Sequence, residues 1–161
     1  MAWFNLARAA LAWRSPGAKR PGGPHHGKAN GATAAHPASR RVLVIDDDAV
    51  TRLVIGAALR DAGYDVVEAG DGAEGLALFR AEPAAAVITD LVMPNHGGLE
   101  TVKELRRTDA TVRIIVVSGV TGGSAEYMRR AVRLGADRVL PKPVDLRELQ
   151  AMVAGLLAQR Q

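Results

Sequence analysis

The chain contains no cysteine. Disulfide frameworks, thiolate metal sites and cysteine nucleophiles are therefore excluded, and the composition fits a reducing compartment such as the cytoplasm. Aromatic residues make up only 4% of the 161 residues, so Ala, Val, Leu and Ile must fill any core. Hydrophobic residues still account for 48% of the chain, enough for one packed domain with a tail. No apolar run approaches the roughly 20 residues of a membrane span. A clean signal peptide is also missing, because Arg8 interrupts Met1–Trp13 and no cleavage site follows. Acidic residues are absent from positions 1–41, which hold seven Lys and Arg, whereas residues 42–161 hold 14 basic and 17 acidic residues. The net charge of +4 therefore comes from the tail and gives no support to a nucleic-acid-binding fold.

Residues 15–39 are rich in Pro, Gly, Ala and His and nearly devoid of large apolar side chains. Such a segment cannot bury enough surface to offset the entropy of ordering and reads as a flexible linker. Within it His25, His26 and His36 lack regular spacing and are expected to be solvated. Residues 1–40 are thus expected to form a basic, Pro/Gly-rich extension. Its start, residues 3–13, has the apolar pattern of a short amphipathic helix. Two readings of that start stand: a non-functional extension, or a docking or membrane-surface helix.

From Arg41 onward strands and helices alternate. Short β-branched runs at Val42–Ile45, Asp65–Ala69, Ala85–Thr89, Arg113–Val117 and Arg138–Leu140 read as strands. Several are apolar throughout, as in parallel sheets covered on both faces. Between the first two, Val50, Leu53, Val54, Ala57 and Ala58 follow a helical stripe, and Gly63 is a C-terminal stop. Asp71 with Glu74, and Asp145 with Glu148, have the spacing of capping boxes. Leu99–Arg107 and Ser124–Leu134 are the remaining helices before the last one, and Gly135 closes the latter. The last helix carries the stripe Leu146, Leu149, Val153, Leu156 and Leu157. This alternation predicts a doubly wound α/β domain over residues 41–161.

Asp46-Asp47-Asp48 follow directly on the first strand. Stripping a carboxylate of water costs several kcal/mol unless a cation compensates. A carboxylate-rich site suits Mg²⁺ better than Zn²⁺. On these residues alone, one Asp capping the next helix with the others solvated is an equal alternative. In open parallel sheets ligands bind beyond the carboxyl ends of the strands. There the other strands bring Thr89-Asp90, Ser118-Gly119 and Leu140-Pro141-Lys142-Pro143. Four strand ends thus offer carboxylates, a hydroxyl and an ammonium to one edge.

The segments VLVIDDD, VITDLVMPNHGGLE, IIVVSG and GADRVLPKP, in this order and spacing, resemble the receiver domain of two-component response regulators, from Arg41 to about Gln159. The resemblance implies a flavodoxin-like five-stranded parallel sheet of order 2-1-3-4-5 with five helices. It implies that Asp90 is the phosphoacceptor and that Asp47, Asp46 (through water), Asp90 and the Val92 carbonyl hold Mg²⁺. It also makes Lys142 the phosphoryl-pairing lysine, its bond to Pro143 cis, and Ser118 the switch hydroxyl. Asp48 matches no ligand and is assigned to the helix cap. The implied partners are a sensor histidine kinase or phosphotransfer protein and an unidentified downstream protein. After the last helix too few residues follow for an output domain, so no direct DNA binding is expected. Neither is steady enzymatic turnover.

Departures from the family pattern bear on output. Val139 stands where an aromatic is usual, three residues before Lys142, so ring-based coupling to Ser118 is not expected. Tyr127 is either a substitute or a partly buried packing residue, the latter reading being favoured. Gly97 replaces a common Asp and weakens a helix cap, and His96 is expected to be solvated. Val92 and Val120, two past the acceptor and the switch residue, are apolar and cannot orient an attacking water, so a slowly hydrolysing phosphoaspartate is expected. Two other function classes compete. A haloacid-dehalogenase-type phosphatase would use Asp46-x-Asp48 but leave Asp90 and Lys142 unexplained. A phosphorylation-independent adaptor would not require the acidic pocket. A nucleotide-binding domain is poorer still, because no Gly-rich loop follows the first strand.

Overall fold

The computed structural model describes residues 40–94, 97–119 and 124–159. Residues 1–39, with the helix expected at 3–13 and the linker histidines, and also His96 and Val120, lie outside the described residues. Five strands and five helices alternate: β1 (Arg41–Ile45), α1 (Ala49–Asp61), β2 (Asp65–Ala69), α2 (Gly72–Ala81), β3 (Ala86–Asp90), α3 (Gly98–Thr108), β4 (Arg113–Gly119), α4 (Ser124–Arg133), β5 (Arg138–Lys142) and α5 (Leu146–Ala158). All neighbours in the sheet are parallel, in the order β2-β1-β3-β4-β5. None of the described helices is long and apolar enough to cross a membrane.

The period-two alternation of the strands divides the core between the two sheet faces. Leu43, Ile45, Val87, Ile114 and Val116 pack with Leu76 and Phe79 of α2, Val102 and Leu105 of α3, and Ala131 of α4. Val42, Val44, Ile88, Ile115 and Val117 face the other way, onto Ile55 and Leu59 of α1 and Leu149, Val153 and Leu156 of α5. Each fully buried Val, Leu, Ile or Phe among them contributes about 1.5–3 kcal/mol of transfer free energy. β3 is buried along its whole length, which carries Asp90 into the protein.

Local chemistry sets the helix ends. Asp48, Asp71 and Asp145 each accept a backbone N–H of the helix they open. At α2 only the Asp71 half of the expected box forms, because Glu74 reaches back past the cap to the N–H of Gly70 at 2.6 Å. Gly97 caps α3 without a side-chain bond, as its missing carboxylate predicts. Gly63 and Gly135 take φ values of 85° and 113°, where a Cβ is strained. The stripe on α5 faces the core as its spacing predicts.

The stripe expected on α1 does not face the core. Val50 is 69% exposed, Leu53 and Val54 are exposed too, and the buried positions are Ile55, Gly56 and Leu59. The sequence AVTRLVIGAALRD is apolar on most sides, so it carries two overlapping stripes. The three-residue turn from β1 fixes the rotation of the helix, and periodicity by itself does not. Tyr127, read as a partly buried packing residue, is instead an exposed residue of α4, at 53% exposure.

Candidate functional site

The strand register brings the expected residues to one edge. Ile45 pairs with Thr89, Asp90 with Val117, Ser118 with Pro141 and Gly119 with Lys142. Each of these strands therefore ends within two residue steps of its neighbour, and the polar residues at their ends converge. Asp46 is only 2% exposed, and Asp90 and Ser118 are buried, while Asp47 is exposed.

Lys142 joins the site from β5. Its Nζ donates to Asp46 Oδ2 at 2.8 Å and to Asp90 Oδ2 at 2.6 Å. The second oxygen of each carboxylate is also held. Asp46 Oδ1 accepts the N–H of Asp48 at 2.9 Å, and Asp90 Oδ1 accepts that of Val92 at 3.1 Å. The Lys142–Pro143 peptide bond is cis. Burial pushes the Asp46 carboxyl above the usual carboxylate range, opposed by the bond from Lys142. Burial also works against the charge on Lys142, but its contacts with Asp46 and Asp90 together outweigh that and hold the ammonium above the ordinary lysine value.

Carboxylate oxygens of Asp46, Asp47 and Asp90 lie within 4.8 Å of one another. All three donors are hard oxygens, and one ammonium faces three carboxylates, so a divalent cation such as Mg²⁺ fits both the chemistry and the charge. Asp48 stands apart. It is exposed and turns to α1, accepting the N–H of Val50 at 2.9 Å and the hydroxyl of Thr51 at 2.8 Å. The Thr51 hydroxyl, with the Val50 N–H, draws its carboxyl below the usual range. The Ser118 hydroxyl is buried and has no hydrogen-bond partner among the described residues. A buried hydroxyl is ordinarily paired, so an oxygen of a ligand or a water would satisfy it at that place.

Three further residues shape the site in roles that the motifs do not signal, although Thr89 and Gly98 lie within one of them. Gly98 opens α3 against the carbonyl of Asp90, where an added Cβ would lie 2.0 Å from that oxygen. Thr89 is buried and donates to the Asp90 carbonyl at 3.1 Å. Arg52 on α1 donates to the carbonyl of Asp46 at 2.5 Å. Positive charge beside an acidic turn is legible in sequence, but which carbonyl it reaches is not.

The raised pKa of Asp46 gives a testable sign. A folded value above the unfolded one means that the native state holds the proton more tightly. Stability from this group is then present at low pH and lost as pH rises from the ordinary aspartate value through the raised one. In metal-free buffer, Asp46→Asn should therefore be more stable than the parent at neutral pH. The gap should shrink to nothing as the pH falls to about 4. Urea unfolding of both proteins across this range measures it. A gap that widens toward acid would show that Asp46 stabilises the metal-free fold instead.

Residues 42–154 match the family described as the response regulator receiver domain. The chain is 38% identical over 117 residues to the response regulator MprA of Mycolicibacterium vanbaalenii, covering 73% of this chain and 50% of that one. It is 30% identical over 114 residues to a "Probable chemotaxis protein CheY" of Rhizobium etli, covering 70% and 88%. Thus the chain spans about half the length of most of the curated relatives it matches first, and nearly all of the chemotaxis relative. Among solved structures, a receiver domain of Clostridium thermocellum superposes with a TM-score of 0.70 at 27% identity, covering 74% of this chain and 95% of that one. A receiver protein of Pseudomonas putida gives 0.65 at 36% identity, covering 71% and 95%.

Proposed function

Because the chain belongs to the response regulator receiver domain family, we propose that it accepts a phosphoryl group on Asp90 from a phosphohistidine of a sensor kinase or phosphotransfer protein, in a Mg²⁺-dependent reaction. The observation that carries this reading is the double contact of Lys142 with Asp46 and Asp90 beside the three-carboxylate cluster. In the transfer an Asp90 oxygen attacks phosphorus as the P–N bond to the imidazole breaks. The imidazole leaves with the bonding pair, and Asp90 becomes an acyl phosphate. Transfer of this kind depends on placement and charge more than on covalent help.

Asp46, Asp47, Asp90 and the Val92 carbonyl would hold Mg²⁺. Bound there, the ion would neutralise charge on the transferred phosphoryl oxygens. Lys142 holds the acceptor before transfer and pairs with a phosphoryl oxygen afterwards. The Ser118 hydroxyl, orphaned among the described residues, donates to another. That step favours one of two pre-existing conformations and alters the face of α4, β5 and α5. On that face Met128, Val132 and Val139 line an open apolar groove edged by Arg129 and Arg133. Output then runs through a protein contact, and Val139 in place of a ring means that backbone and helix displacement transmit it. The receiver occupies residues 41–161 and works in the cytoplasm, with residues 1–40 as an extension. It turns over only its own phosphoryl group. The placement of Asp48 on the α1 cap, away from the cluster, disfavours the phosphatase reading.

Incubating the full chain with acetyl phosphate and Mg²⁺ tests the proposal. The expected product carries one hydroxylamine-labile phosphoryl group on the peptide containing Asp90, and a chelator prevents its formation. No labelling from acetyl phosphate or any histidine phosphodonor would favour the adaptor reading. Sustained release of phosphate from simple esters would favour the phosphatase.

A further inference from the structure

We propose that Arg52 is a positioning residue for the acidic pocket, held by Glu68, and that it fixes the Asp46–Asp47 peptide so that the Asp47 carboxylate is aimed at the metal. The inference rests on the reading of Asp46 and Asp47 as metal ligands. Arg52 lies in the first turn of α1, and its Nη1 donates to the main-chain carbonyl of Asp46 at 2.5 Å. A carbonyl and the next residue's N–H share one rigid plane. Holding the Asp46 oxygen therefore fixes the plane from which Asp47 departs. Asp47 is exposed, so packing does not aim its side chain and its backbone must.

The guanidinium is itself held. Its Nε lies 3.7 Å from Glu68 Oε2, and the other oxygen of Glu68 accepts from Arg60 at 2.7 Å. Glu68 sits on β2 opposite Val44 of β1, two positions before Asp46. Room for its carboxylate comes from Gly56, one turn beyond Arg52. A Cβ there would stand 2.6 Å from Glu68 Oε1 and 3.0 Å from Arg60 Nη1. An uncompensated guanidinium beside the pocket would repel a divalent cation. Glu68 offsets that charge while leaving the donor in place. A pair serving only to tie α1 to β2 would add little to stability and nothing to the metal.

Calorimetric titration of the full chain with MgCl₂ alone, beside thermal unfolding without metal, separates the two roles. Arg52→Gln should weaken Mg²⁺ binding about tenfold, the scale of losing a partner that orients a metal ligand, with little change in melting temperature. Arg52→Lys should recover part of the affinity, because an ammonium can still donate to the carbonyl. Glu68→Gln should weaken binding relative to the parent, by less than about tenfold. If Arg52→Gln does not fold, Mg²⁺ binding at the parental affinity in both Arg52→Lys and Glu68→Gln would overturn the inference. Unchanged or tighter Mg²⁺ binding in Arg52→Gln, with clear binding by the parent, would overturn this inference and leave the receiver reading intact. Absence of Mg²⁺ binding by the parent would overturn both.

Discussion

Asp90→Asn should take up no phosphoryl group from acetyl phosphate or a phosphohistidine donor under conditions that fully label the parent. The amide keeps the shape of the side chain and can still accept the Val92 N–H, which now reaches Oδ1 at 3.1 Å. It has no carboxylate oxygen to form the acyl phosphate. Its nitrogen cannot accept from Lys142, which keeps the Asp46 oxygen at 2.8 Å, so loss of label in a variant that still folds cooperatively is the expected pair of results. The hydroxyl acceptors nearby are Thr89 and Ser118, both buried, and the carboxylate acceptors are Asp46 and Asp47. Phosphate on a hydroxyl would be an ester and would survive hydroxylamine, whereas phosphate on a carboxylate would not, so lability separates the two classes and peptide mapping identifies the residue. Hydroxylamine-labile label on Asp90→Asn at the parental level would sink the assignment of Asp90.

Gly98→Ala should carry the largest stability loss of any single-methyl addition among the described glycines. The new Cβ would meet the Asp90 carbonyl oxygen at 2.0 Å and the Leu91 Cα at 2.6 Å. Both obstacles are backbone, so no rotamer change relieves the clash. The contrast is Gly75, where the atoms met belong to the side chain of Ile45. Relief at Gly98 must come from moving the start of α3 off the end of β3, which also breaks the bond from the Gly98 N–H to the Leu91 carbonyl at 3.1 Å. Overpacking of this kind costs about 1–3 kcal/mol or more. For a domain of this size that lowers the melting temperature by several degrees. Since the displaced backbone carries Asp90, phosphoryl uptake should slow as well. Gly155→Ala is the control: nothing lies within 4 Å of its added Cβ, and α5 should gain about 0.5–1 kcal/mol. A melting temperature for Gly98→Ala equal to that of the parent would mean that the α3–β3 junction yields more easily than its backbone contacts imply.

The sequence by itself determined the order and type of the elements. Apolar β-branched runs alternate with capped helices, and both signals are local: a two-residue period, a 3.6-residue period, and an Asp that accepts an N–H two or three residues on. The chemistry of the site was legible for the same reason. The end of a strand is a local feature, so Asp46, Asp90, Ser118 and Lys142 could be placed at one edge before any distance was known. Only the tertiary structure decided which side of α1 is buried. A helix apolar on most sides offers two stripes, and the choice between Val50–Leu53–Val54 and Ile55–Leu59 follows from how the β1 turn orients it. The same holds for Tyr127, whose ring is exposed because the sheet takes a different face of α4. The supports of the site were likewise hidden, since Gly98 under Asp90, and Glu68 behind Arg52, act across contacts between elements. A local pattern records what each segment prefers, whereas rotation about a helix axis and the approach of one backbone to another are set by all the packed elements together.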